Sequence, residues 1–156
     1  MADSTTTTDA RTRPLLPFLA PLERAFDPFA WPLVRFAAGV MLIPHGWGKL
    51  IGGGLSGTIE AFGNMGFTPA GPLATYIGVL ELVGGLCIAI GFLTRFWAAQ
   101  VVGFMAVAAF VVHWSNGFNW TDGGYEYPLF WGLVALAITF RGAGRMSVDA
   151  AIGREL

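Results

Sequence analysis

The sequence predicts an all-α protein, a four-helix transmembrane bundle with its N- and C-termini in the cytoplasm. Three observations carry that expectation. Hydrophobic residues fill 54% of the 156 positions and charged residues 12%, about half the charge of an ordinary soluble domain. So little charge cannot cover a water-facing surface, and the outer surface is expected to be lipid. Four apolar stretches reach or approach the roughly 20 helical residues that cross a hydrocarbon core of about 30 Å. Finally, most of the basic residues fall on one side of those stretches, and basic residues favour the cytoplasmic side.

Taken in order, residues 1–29 read as a cytoplasmic tail followed by an interfacial segment. Met1 to Arg13 is Thr-rich and carries Asp3, Asp9, Arg11 and Arg13; no continuous apolar core follows of the kind a secretory signal needs. From Leu15 to Phe29, apolar residues are interrupted by Pro17, Pro21 and Pro28. The segment is expected to be too broken to span and to lie in the headgroup layer. The membrane domain then covers residues 30–150. Its spans are expected at Trp31 to Leu50, Pro72 to Leu93, Phe96 to Trp114 and Tyr127 to Phe140. The last is short, which a locally thinner bilayer accommodates. Residues 151–156 form a cytoplasmic C-terminal tail. Arg24 precedes the first span, Arg95 sits in the second turn, and Arg141, Arg145 and Arg154 follow the fourth. Only Lys49 lies at the opposite side, so the loops Ile51 to Gly71 and Ser115 to Glu126 are expected outside.

Small residues that let backbones approach mark the packing faces of membrane helices. Two stripes at helical spacing qualify: Ala74, Gly78, Glu81, Gly85 and Ala89 on the second span, and Ala99, Gly103, Ala106, Phe110 and His113 on the third. Each contains one ionisable residue, which is expected to point into the bundle.

A charge at bilayer depth costs a few kcal/mol even on permissive scales, so such residues usually have a partner or a task. Glu81 falls near the midplane, about 14 Å from the outer end of its span. It reads as a proton-handling carboxylate or counter-charge for a ligand, or as half of a structural ion pair with Arg35 on the first span. Arg35, Leu42 and Lys49 repeat every seven residues on one face, with His45 one turn before Lys49. Pro44, Gly46 and Gly48 are expected to loosen the last turn there. That end of the helix reads as a site for an anionic or quinone-like ligand, or as an interfacial anchor. His45 and His113 close their spans on the same outer side, near Glu126. A bis-histidine haem or a metal site is the weaker reading, since neither histidine has a ligand-spacing motif. The aromatic outer loop from Asn116 to Tyr127 is an interfacial belt or a lid. No phosphate-binding glycine loop, Ser-His-Asp set or tandem cysteine motif occurs. The single cysteine, Cys87, excludes an intrachain disulfide, and the net charge of -1 offers nothing to nucleic acid.

The chain resembles the DoxX family of small bacterial and archaeal membrane proteins from Leu33 to Asp149. The resemblance rests on landmarks in order: Arg35, Gly39, His45, Gly46 and Lys49, then Glu81 with Gly84 and Gly85, then Gly91 and Thr94-Arg95. Gly124, Tyr125, Glu126 and Tyr127 follow, and Gly142, Gly144, Ser147 and Asp149 close the series. It implies a four-helix protein of the inner cell membrane, with DoxD-type relatives in an archaeal thiosulfate:quinone oxidoreductase. No catalytic residue carries over, and no cofactor is encoded by a motif. Quinone is the cofactor the resemblance implies, and partner proteins supply the rest of the chemistry. The expectation is therefore a subunit supporting a redox or respiratory assembly, with His45, Lys49, Glu81, His113 and Glu126 around a ligand pocket. The alternatives are a structural or docking subunit, and a small proton or solute transporter working past Glu81.

Overall fold

The computed structural model describes residues 15–154. The expected tail over residues 1–13 and the last two positions of the C-terminal tail lie outside them. Among the described residues every regular element is helical. We label them α1 (Ala20–Leu50), α2 (Leu55–Asn64), α3 (Ala70–Ile90), α4 (Thr94–Val112), α5 (Glu126–Arg141) and α6 (Val148–Ile152). The stretches Pro17–Leu50, α3 and α4 are long and apolar enough to cross a membrane. α5 has 16 residues, about 24 Å of helix.

The proline-rich segment departs from expectation: it is not broken but forms the first part of one 31-residue helix. Pro21 sits in the first turn, where its missing N–H is no loss. Pro28, Pro32 and Pro44 lie inside α1, as apolar surroundings allow because any less regular backbone would leave more groups unsatisfied. The connection between α1 and α3 also holds a helix, α2, where only a loop was expected.

α1 and α3 run antiparallel with their backbones in contact. A Cβ on Gly39 would collide with the backbone of Gly85 and Ala89, and one on Gly46 with Leu82 and Gly78. The stripe Ala74, Gly78, Glu81, Gly85 and Ala89 is buried throughout, so the small-residue face of α3 was read correctly. That of α4 was not. Its buried line is Thr94, Ala98, Val101, Met105 and Ala109, while Ala99, Gly103 and Phe110 are exposed. Gly103 has open space around it. Ala98, Val101 and Met105 of that line pack with Ala135 and Ile138 of α5, and Leu80 and Ile88 of α3 join them in one core.

Both α3 and α4 contain a widened π-turn, Leu80–Gly84 and Ala108–Val112. In the second, the His113 N–H donates to Ala108 O at 3.0 Å, five residues back. The wider turn rotates the chain less per residue. His113 therefore stays in line with Met105 and Ala109 instead of drifting off the buried face. π-turns inside α-helices occur frequently at functional sites, and here both border the same cavity.

Candidate functional site

The two ends of the bundle do different work. At the end formed by the turn 91–93 and the chain after α5, Arg35 donates through Nη1 to Ile88 O and Ala89 O, both at 2.7 Å, and through Nη2 to Met146 O at 2.6 Å. A cation thus caps the C-terminal carbonyls of α3. The expected Arg35–Glu81 pair does not form. Antiparallel packing sets Arg35 beside Ala89, and Glu81 lies two turns further along, about 12 Å away.

Asp149 does the complementary job at the start of α4. Its Oδ1 accepts from Leu93 N at 2.8 Å, and its Oδ2 from Thr94 N at 3.1 Å and Thr94 Oγ1 at 2.9 Å. Its own N–H donates to Gly91 O at 2.9 Å. An acid at a helix N-terminus is the favourable sign. Gly91 has φ +75°, and a Cβ there would run into Ser147 and Arg35, so only glycine fits. Arg35, Gly91, Thr94, Ser147 and Asp149 are far apart in sequence yet form one latch.

The polar cavity lies nearer the other end, between α1, α3, α4 and α5. It holds about 250 Å³, with His45, Glu81, His113 and Tyr127 among its walls and Leu42, Phe104, Met105 and Trp131 supplying apolar ones. Glu81 is 5% exposed and pairs with Lys49, Nζ to Oε2 at 2.6 Å. Its other oxygen, Oε1, has no hydrogen-bond partner among the described residues. His113 Nδ1 lies 2.6 Å from Gly123 O. A carbonyl only accepts, so Nδ1 carries the proton and Nε2 keeps an acceptor lone pair in the neutral ring. His45 makes no hydrogen bond among the described residues. The site therefore offers a carboxylate oxygen, two imidazoles and a nearby ammonium inside an aromatic and sulfur-containing wall.

Three of the five residues expected around a pocket, His45, Glu81 and His113, line this cavity, and Lys49 reaches it through its ion pair with Glu81. Glu126 does not join them. It opens α5, accepts from Trp120 N at 3.2 Å and faces a separate surface groove of about 430 Å³ with Phe118, Trp120 and Phe130. The aromatic loop folds on itself, with Trp114 stacked on Tyr125 at 4.6 Å, and Gly124 is pinned against the backbone of Gly117 and Asn119. Among the described residues no group of three or more His, Cys, Asp or Glu is arranged to hold a metal ion. Sequence reasoning missed Tyr127 and Trp131 as cavity walls. Their spacing of four was the available signal: it puts both on one face of α5, ring centroids 6.1 Å apart.

The DoxX family model matches residues 30–114, more than half of the chain. The chain belongs to the DoxX family. The inner membrane protein YqjF of Escherichia coli is 32% identical over 126 residues, which are 79% of this chain and 92% of that protein. Two uncharacterised proteins of Haemophilus influenzae are also similar. One is 30% identical over 127 residues (80% of this chain, 91% of the relative). The other is 35% identical over 72 residues (46% and 48%). No solved structure gives a significant match. In this DoxX protein the matched region contains Arg35, His45, Lys49, Glu81 and His113, whereas Tyr127, Trp131 and Asp149 lie beyond it.

Proposed function

We propose that this DoxX protein is a multi-pass subunit of the inner cell membrane that supports a redox or respiratory assembly and binds a quinone headgroup in the polar cavity. In this reading it crosses the bilayer four times, α5 being the fourth span in a locally thinned region. Both termini are cytoplasmic, because Arg24, Arg95, Arg141, Arg145 and Arg154 all lie toward the latch end and basic residues favour the cytoplasm. Cysteine placed at Asp122 is then labelled by an impermeant reagent in intact cells, and cysteine at Arg95 is not. The reverse pattern inverts the topology.

The observation that carries the ligand reading is the convergence of His45, Glu81 and His113 on one largely apolar cavity. A few placed polar groups in an apolar pocket are the usual form of a small-molecule site. A quinone ring presents two carbonyl acceptors, which a histidine N–H or the Lys49 ammonium can meet. Its reduced form presents hydroxyls, which Glu81 Oε1 or His113 Nε2 can accept. Electrons would come from a partner protein, the chain's own part being to bind the ring and exchange protons with it. Purification in mild detergent followed by mass spectrometry of the bound small molecules tests this. Quinone is expected at near one per chain, with a severalfold loss in His113→Phe. Quinone no more abundant than in the surrounding lipid would overturn the reading.

One observation favours a second, structural reading. Glu81 is already neutralised by Lys49 and Arg35 is spent on backbone carbonyls, as in a subunit whose polar residues only hold the bundle. A Glu81→Gln variant that folds and assembles with its partners but loses their quinone-linked activity decides against it.

A further inference from the structure

A second space adjoins the polar cavity. It is an apolar groove of about 510 Å³ between α3 and α4, roofed by Phe62 of α2 and Phe67 and running past Ile77, Gly103 and Val107. Phe104 and Ala108 belong to the walls of both spaces. On α3, Ile77 lines the groove and Glu81, one turn on, lines the cavity. The two spaces are therefore neighbours around one ridge of α4. Among the described residues the polar side chains on the groove are Tyr76 and Gln100, and the Tyr76 hydroxyl donates to Gln100 Oε1 at 2.8 Å. Gln100 Nε2 also donates to Phe96 O at 3.3 Å, so the groove is apolar apart from this pair.

Gly103 supplies an independent observation. Glycine inside a helix costs roughly 0.5–1 kcal/mol relative to alanine, and in membrane helices it normally admits a neighbouring helix. Here a Cβ on Gly103 would meet nothing within 4 Å. The missing side chain serves no contact within the chain; it keeps the groove open. Size points the same way. The cavity's 250 Å³ falls below the roughly 300–1,000 Å³ of ordinary small-molecule pockets, so its ligand has reason to extend into the adjoining space.

We infer that the groove holds the single long apolar chain of the ligand whose polar head sits in the cavity, the chain leaving the head past Phe104 and lying along Gly103 and Val107. This rests on the quinone reading for the head, and names the ligand class as a prenylated or alkylated quinone. A fatty acid shares the shape, with a carboxylate in place of the ring.

The test uses the full chain in lipid nanodiscs, with binding read from quenching of Trp131 fluorescence and a Trp131→Phe protein as background. Three probes are compared: a benzoquinone bearing a decyl chain, the same ring without the chain, and decanoic acid. Gly103→Trp fills the groove where there is room for it, and Val107→Trp fills it from the next turn should the first variant misfold. Displacing about two buried methylenes costs roughly tenfold in affinity. Either variant is therefore expected to weaken the decyl quinone about tenfold while leaving the bare ring within about twofold. Both quinones binding, with the variants affecting them equally or not at all, overturns the groove and leaves the head site standing. Decanoic acid binding with the same dependence, while neither quinone binds, keeps the groove and overturns the quinone head. No binding by any probe overturns both.

Discussion

The ion pair between Lys49 and Glu81 gives the sharpest mutational test of the bundle. Glu81 is 5% exposed and Lys49 21%, so the two partners are not equivalent. Lys49→Met leaves the Glu81 carboxylate inside the bundle without its cation. Removing one member of a buried pair costs about 3–5 kcal/mol, and the partial exposure of Lys49 brings this to about 2–3 kcal/mol. Glu81→Gln should cost less, about 1 kcal/mol, because the lysine stem can turn its ammonium toward the interface. The double variant should recover part of the Lys49→Met loss, with a coupling of about 1–2 kcal/mol. Arg35 provides the control. It shares no partner with Glu81, so Arg35→Met and Glu81→Gln should add within about 0.5 kcal/mol. Reversible unfolding of the purified protein in detergent–SDS mixtures measures all of these. Coupling of Glu81 to Arg35 as strong as to Lys49 would refute the placement of both charges.

Two further perturbations follow from the packing. Asp149→Ala removes three hydrogen bonds at the start of α4, and at about 1 kcal/mol each for such bonds the loss should be about 2–3 kcal/mol, with Asp149→Asn milder; detergent unfolding again reads it. Gly39→Leu should prevent the α1–α3 contact altogether, since its Cβ meets backbone, whereas Gly48→Leu, with nothing within 4 Å, should leave the melting temperature within a few degrees. Equal damage from the two would count against the close backbone approach.

How much of this was legible in the sequence depends on which physical rule each residue obeyed. α3 and its buried face were readable because Gly78, Gly85 and Ala89 pack where small residues are expected to pack. The face of α4 was misread because its small residues have two uses. Ala98 and Ala109 admit helices, while Ala99 and Gly103 line open space, and composition alone does not separate them. The π-turn at Ala108–Val112 then carried His113 back onto the buried line, an insertion that periodicity cannot see. The start of α1 was missed because prolines that break helices in water are tolerated in an apolar helix. His45 and His113 were readable as a pair by their matched depth, and Glu81 as a charge inside its span. The partner of Glu81 was not, since a seven-residue repeat placed Arg35 and Lys49 on one face and only antiparallel register chooses between them. The latch was visible merely as scattered landmarks; its meaning is the capping of α3 by Arg35 and of α4 by Asp149.

The central claim is that the cavity bordered by His45, Glu81 and His113 is where the ligand's head binds. Photo-crosslinking with an azido-quinone, followed by peptide mapping of the full chain, addresses it most directly. The account predicts labelling concentrated on Met41–His45 of α1, Phe104–Ala108 of α4 and Tyr127–Trp131 of α5, suppressed by unlabelled decyl quinone. Labelling spread over the outward-facing side chains Phe36, Val83, Phe96 and Leu133, and unaffected by competitor, would contradict it.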